Sequence, residues 1–372
     1  MYESDKRVVL TLDAGGTNFV FSALRSNRQV VAPIPLPAEP DNLDRCLEVL
    51  VRGFERVSSQ LGERPVAISF AFPGPVDYAN GIIGDLPNFP AFRGGVALGP
   101  YLSRHFGLPV FMENDGNLFA LGEALSGALT EVNEALRASG SLRTYRNLLG
   151  ITLGTGFGAG VVIDGRLLTG DNGCGGDVWL LRNRKYPELL AEESVSIRAV
   201  KRVYAECGGA SDGNLTPKDI FDIAEGARPG NRAAAIASFR ELGTMAGAGI
   251  TAALNIVDGI VVVGGGLAGA AKYILPGLLG EMRSRLSTFG GASFPALQME
   301  VYDWETPCER LRFLDSDDGT VSVPGTEARV AWRRTKKTAV LCSRLGASQA
   351  IMCGAYALAL SRLDAENAST SV

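Results

Sequence analysis

Three times in this chain an apolar run of strand length ends in a cluster of glycines: VVLTLDAGGTN from Val8, LLGITLGTGFG from Leu148 and IVVVGGG from Ile260. A strand that stops at glycine needs either a backbone angle that side chains resist or a backbone that something approaches closely. One Gly-Gly is ordinary hairpin chemistry, because glycine supplies the positive φ of tight turns. Three such turns, with Asp13 and Thr17 at the first and Thr155 at the second, fit backbone amides that grip one nucleotide from two halves of the chain. No lysine follows any of them in the GxxxxGK[ST] pattern, which excludes a Walker-type phosphate loop. VVVGGGLAG imitates part of a dinucleotide fingerprint without its GxGxxG spacing, so a dehydrogenase is the weaker alternative.

The runs between these turns alternate in type. Val8–Leu12, Phe19–Leu24 and Gln29–Leu36 read as strands, closed by prolines at 33, 35, 37 and 40. Leu43–Leu61 has apolar residues at helical spacing, Pro65–Phe72 and the apolar part of GLPVFMEND read as strands, and Leu118–Leu129 as a helix. The order restarts at Asn147 with strand, glycine turn and strand. Helical segments follow at Glu193–Glu206, Pro217–Ala227 and Asn231–Asn255, then the third strand and glycine turn. TAVLCSRLGASQAIMCGAYALALSRL reads as a closing helix with a break near Gly346. The expected fold is α/β in two halves, with ligands at strand carboxyl ends. Residues 303–337 carry mixed charge and no period, and read as an inserted surface excursion, a hairpin.

Composition narrows the function classes. The 372 residues suffice for about two domains, and the net charge of −4 argues against a nucleic-acid partner. The basic cluster Arg333-Arg334 and Lys336-Lys337 follows Asp315, Asp317 and Asp318, as a solvated loop would. Six scattered cysteines form no CxxC pair, so a cysteine zinc site has no ligand cluster; His105 is the only histidine, which rules out a His-based metal cage and weakens any Ser-His-Asp or Cys-His scheme. His105 stands near the end of a helix closing at Gly107, where a cation suits the helix dipole. The start MYESDKR is polar and no apolar run reaches the ~18 residues of a membrane span. The expectation is a cytoplasmic protein with no membrane partner.

MENDGN, Met112–Asn117, adds a carboxylate at a strand end just before a helix. Asp115 there has two readings. One is a helix N-cap. The other is a general base that takes a proton from a substrate hydroxyl while Asn114 orients that substrate. In phosphoryl transfer most of the remaining acceleration comes from positioning and charge stabilisation, which glycine-turn amides and Mg²⁺ supply.

LDAGGTN, PGPVD, ENDGN, LGTGFGAGVVIDGRLLTG, DIFDIA, VVVGGGLA and LGASQAIMCGA stand here in an order and spacing that resembles the ROK family of sugar kinases and sugar-responsive repressors. The similarity covers nearly the whole chain apart from 303–337. It implies an actin/hexokinase-like (ASKHA) α/β fold of two RNase H-like domains around a central cleft. The first would span 1–135, joined by a C-terminal helix 340–372; the second would span 136–339 with the insertion. The implied activity is ATP-dependent phosphorylation of a hexose or amino-hexose hydroxyl, in a homodimer.

The resemblance also implies site roles. Asp13, Gly15, Gly16 and Thr17 form the first phosphate loop, with Asp13 near Mg²⁺ through water. Gly154, Thr155 and Gly156 form the second, and Gly264, Gly265 and Gly266 the adenosine-side turn. Asp115 is the catalytic base, and Asn88, Asn114, Asp177 and Glu192 contact the sugar. Two departures stand out. The family's Gly-Glu-x-Gly-His becomes GGDVWLL, with Asp177 at the glutamate and Leu180 at the histidine. The cysteine-rich zinc motif that follows it in the family is absent, so no structural zinc is expected. A leucine makes none of the hydrogen bonds of an imidazole, so this loop is where sugar specificity is expected to differ. The alternative is a sugar-binding regulator without turnover. The family's repressors carry a helix-turn-helix ahead of the first phosphate loop, and 12 residues before Asp13 are too few for one.

Overall fold

Strands buried along most of their length organise the N-terminal half. Strands β1 (Val9–Ala14), β2 (Asn18–Arg25), β3 (Arg28–Gln29) and β4 (Ile34–Pro37) form the opening meander. The run expected as one strand from Gln29 to Leu36 is two short ones, because Pro33 and Pro35 carry no N–H for a continuous ladder. Helix α1 (Leu43–Ser58) follows, capped by Asn42, whose side chain accepts from the Arg45 N–H. Next come β5 (Ala67–Ala71), the small hairpin β6 (Val76–Asp77) and β7 (Ile82–Ile83), α2 (Leu98–Phe106) and β8 (Val110–Glu113). The computed structural model describes residues 2–14, 17–72, 74, 76–86, 89–210, 214–316 and 318–370, apart from the side chains of Asp318, Ser369 and Thr370.

The first sheet has the order β3-β2-β1-β5-β8, with β4 on β2. β1, β5 and β8 run parallel, and their register sets Asp13 beside Ala71 and Ala71 beside Glu113. One face packs on α1 through a phenylalanine cluster in which Phe21 meets Phe54 edge to face at 5.1 Å. His105 sits in the last turn of α2, which Gly107 closes in the left-handed conformation. Its ring nitrogen lies 3.3 Å from Glu55, a structural contact.

Helix α3 (Asp115–Ser126) starts three residues before the expected position, because Asn114 caps it, and α4 (Ala128–Ala138) follows a break at Gly127. The second half contains β9 (Leu148–Leu153), β10 (Phe157–Ile163), β11 (Arg166–Leu167), α5 (Ile197–Glu206), α6 (Pro217–Glu225) and α7 (Arg232–Val257). After β12 (Ile260–Gly264) and α8 (Ala271–Met282) come the ribbon β13 (Arg285–Ser287) and β14 (Ser293–Pro295), then β15 (Glu300–Asp303) and α9 (Pro307–Leu314). The ribbon β16 (Asp318–Ser322) and β17 (Arg329–Arg333), β18 (Lys337–Cys342) and α10 (Ala347–Thr370) end the chain. The second sheet has the order β11-β10-β9-β12-β18-β15.

β18 corrects the sequence reading. The closing helix, expected from 340, begins only at Ala347, and residues 338–342 form a strand between β12 and β15. Ala-Val-Leu-Cys after Thr338 is a short apolar run, which suits a parallel strand buried on both faces as well as a helix. The excursion at 303–337 is a free-standing hairpin only at β16–β17. Its two ends belong to the sheet, and the buried Lys337 ammonium donates to the Arg312 and Asp315 carbonyls at the end of α9.

The chain clusters into two compact units: Met1–Gly127 with Gly160–Gly176 and Arg344–Val372, and Ala128–Ala159 with Asp177–Ser343. Each has one pair of helices in backbone contact. In the first unit a Cβ on Gly122 of α3 would overlap the Ala350 carbonyl of α10, and a Cβ on Gly354 would overlap the Leu118 carbonyl. In the second, Gly243 of α7 meets the Ile274 carbonyl of α8 in the same way. No helix among the described residues is long and apolar enough to cross a membrane.

Candidate active site

In the first unit Asp13 and the Glu113–Asp115 corner lie at the same, carboxyl end of the parallel strands. Asp13 is half-buried near the end of β1. The Glu113–Asp115 corner ends β8, two strand spacings away, about 10 Å. Burial first and the Asp115 charge second push the Asp13 carboxyl above its ordinary range. Asp115 presents surface to water, yet protein crowds it on its other sides, and this dehydration raises its carboxyl as well. Asn114, not Asp115, is the N-cap: its Oδ1 accepts the Gly116 N–H at 2.8 Å. Asp115 Oδ1 accepts the same N–H at 2.9 Å, and Oδ2 accepts nothing among the described residues. Thr17 is exposed, and its carbonyl accepts the Ala38 N–H at 3.0 Å. Gly15, Gly16 and Asn88 lie outside the described residues.

Two residues that the sequence did not single out hold this corner. Glu113 Oε1 accepts both the Asn114 N–H at 2.9 Å and the Asn117 side-chain N–H at 3.0 Å. Both side chains are buried, at 4% and 3% exposure. The available signal was Glu and Asn four positions apart around Asp115. The Glu113→Ala variant leaves two buried donors without their acceptor and is expected to lose about 1–3 kcal/mol of stability, read by urea unfolding. Gly160 of β10 presses on the same turn, where a Cβ would lie 2.7 Å from the Asn117 Cα.

In the second unit the two glycine turns are neighbours. β9 and β12 are adjacent and parallel with Thr152 opposite Gly264, and the Leu267 N–H donates to the Leu153 carbonyl at 2.9 Å. Gly265 has φ +90°, and a Cβ there would run into the Leu153 backbone. Gly154 and Gly266 differ, since a Cβ at either meets nothing within 4 Å. These two leave room for a ligand to reach the backbone. The Gly154 N–H closes the second turn on the Gly156 carbonyl, while the Thr155 and Gly156 N–H groups have no acceptor among the described residues.

Glu192 belongs to this turn. Its Oε2 accepts the Phe157 N–H at 3.1 Å, and a Cβ on Gly156 would strike the same carboxylate. Asp177 stands exposed ahead of the single helical turn Val178–Leu180, and Leu180 is 56% exposed. Asn183, buried and unforeseen from its polar surroundings, donates to the Leu190 carbonyl and Ser194 Oγ and accepts the Lys185 and Tyr186 N–H groups, which ties this loop down.

Among the described residues no three His, Cys, Asp or Glu side chains group closely enough to hold a metal ion. The half-buried Asp13 carboxylate fits a hydrated divalent cation that arrives with phosphates, takes one or two carboxylates and keeps its waters. The open backbone at Gly154 and Gly266 fits the phosphates themselves.

The ROK family profile matches residues 9–179. A crystal structure of a glucokinase from Parabacteroides distasonis is 57% identical, with 97% of this chain and 99% of that one covered and a TM-score of 0.89. The glucokinase of Thermotoga maritima is 27% identical over 309 residues, which is 78% of this chain and 90% of that protein. A ROK family glucokinase from Streptomyces griseus, solved with glucose and AMPPNP, shares the fold at a TM-score of 0.60 and 21% identity, with 94% of this chain and 98% of that one covered. The ordered motifs, the two mixed sheets, the strand-end glycine turns of the second sheet and these likenesses agree: this chain belongs to the ROK family and has its actin/hexokinase-like fold.

Proposed function

We propose that this chain is a sugar kinase that transfers the γ-phosphoryl group of Mg-ATP to a hydroxyl of a hexose, with glucose the first candidate. The glucokinases to which it is similar support the reaction class. The observation that carries the mechanism is Asp115: a raised carboxyl whose Oδ2 accepts nothing among the described residues, at the same strand ends as Asp13. Oδ2 takes the proton of the sugar hydroxyl as its oxygen bonds to the γ-phosphorus, and the bond to ADP breaks. Asn114 spends its oxygen on the helix cap and keeps its side-chain N–H groups for a sugar hydroxyl. The Thr155 and Gly156 amides and the open Gly154 and Gly266 hold the phosphates. Asp13 would hold, through water, the Mg²⁺ that comes with ATP, and the ion would supply charge neutralisation at the phosphates. Asp177, Leu180 and Glu192 bear on which sugar is accepted.

A coupled ADP-release assay over hexoses, amino sugars and ketoses tests the reaction. Magnesium-dependent turnover on at least one is expected, and silence on all would overturn the proposal. Exposed Leu180, in the family's histidine position, favours a second reading, a sugar-binding regulator without turnover. Saturable hexose binding without ADP release would select it. The phosphate role has its own test. Gly266→Leu fills open space, so stability is expected to stay within about 0.5 kcal/mol. Nucleotide affinity is expected to fall at least tenfold by calorimetry, and unchanged affinity would return this turn to plain backbone geometry.

A further inference from the structure

The first unit holds a cavity of about 950 Å³ that the proposed reaction does not use. It runs along the outer edge of β8, between the β6–β7 hairpin, residues 169–173 and the last turns of α10. Asp13, Asn114 and Asp115 are not among its walls. Four carboxylates line it, Asp77, Glu113, Asp171 and Glu366, against one guanidinium, Arg362. Phe111, Met112 and Leu358 give it an apolar floor.

Glu113 makes this more than an acidic surface. Its side chain is 96% shielded, Oε1 is committed to Asn114 and Asn117, and Oε2 accepts no hydrogen bond among the described residues. The buried carboxylate thus turns an unused acceptor to the cavity. Burial raises its carboxyl above the ordinary range, and the Asn117 and Asn114 donors and then the Arg362 charge act against that rise without cancelling it.

The wall selects its ligand class. Asp77, Asp171 and Glu366, with the buried Glu113 the least readily charged of the four, outnumber the one guanidinium and disfavour nucleotides and sugar phosphates. A divalent metal needs its oxygen ligands converged on one point, and no such group of three exists among the described residues. Carboxylates are acceptors only, and an ammonium offers three donors and no acceptor. Separated carboxylates above an apolar floor match ammonium groups spaced along a methylene chain. The volume lies within the usual range of small-molecule sites, about 300–1,000 Å³. We propose that this cavity is a binding site for a linear di- or polyamine, with the Glu113 Oε2, Asp171 and Asp77 carboxylates as the groups that receive its ammonium ends.

The test is calorimetric titration of the full-length chain with spermidine, without nucleotide, since amines pair with ATP in solution. One saturable site per chain is expected. Asp171→Lys reverses a charge on an exposed loop residue, so the fold is expected to persist by circular dichroism while spermidine affinity falls at least tenfold. Glu63→Lys, exposed in the same unit and absent from the cavity wall, is expected to leave affinity unchanged. Absence of saturable binding, equal binding by Asp171→Lys, or equal weakening by Glu63→Lys would overturn the proposal. No step reads sugar phosphorylation, so failure of the kinase reading and failure of this site are separate results.

Discussion

Asp115→Asn is expected to lower kcat for sugar phosphorylation by on the order of 10²–10⁴-fold, the range for loss of a general base. Nucleotide affinity should stay near that of the wild type, because the change keeps shape and an oxygen that can still accept the Gly116 N–H. Substantial remaining turnover would remove Asp115 as the base. In the wild type the base must be ionised, and its carboxyl is raised by dehydration. The rate is therefore expected to fall on acidification with a midpoint above 3.8, the ordinary value for an aspartate.

The same shift has a consequence for stability. A carboxyl whose pKa is higher in the folded chain than in the unfolded one stabilises the fold when protonated. That contribution is complete below the unfolded value, near 3.8 for an aspartate, and is lost as pH rises through the folded value. At neutral pH the ionised Asp115 thus works against folding. Asp115→Asn should melt at a higher temperature than the wild type there, and the difference should shrink toward acid. A lower melting temperature at neutral pH would mean that this charge is well solvated, contrary to the dehydration argument.

Gly354→Val is expected to lose about 3 kcal/mol of stability, at the upper end of overpacking costs. Its Cβ would overlap the Leu118 carbonyl of α3, and backbone cannot swing aside as a flexible side chain does. Because α3 begins at Asp115, pushing it away should also lower kcat more than it raises KM for ATP. Gly280→Ala provides the contrast. It lies in α8 with nothing within 4 Å of the added methyl, so it is expected to gain about 0.4–1 kcal/mol. Equal effects on chemical denaturation would show that helix propensity, not the α3–α10 contact, governs both sites.

The local frame of the candidate site could be read from the chain because its local chemistry is self-contained. Each glycine turn ends an apolar strand, and Asn114-Asp115 sits between a strand and a helix, so type and position follow from a few residues. The division of labour at that corner could not be read. Either residue could cap α3, and only the coordinates give the cap to Asn114 and leave Asp115 Oδ2 without a partner among the described residues. Glu113 looked like one more polar residue in a polar motif. Its importance comes from burial at the end of β8, which makes its two hydrogen bonds hard to replace.

By itself the sequence determined the strand–glycine-turn pattern, the helical faces and the residue types at the strand ends, since these depend on backbone angles and on periods of two or 3.6 residues. Tertiary structure decided which strands became neighbours. It turned residues 338–342 into a strand between β12 and β15, set Asp13 and Glu113 level across β1, β5 and β8, and laid the second glycine turn beside the third. Those outcomes rest on pairing between segments far apart in the chain, where register is selected by the partner strand and the faces it buries.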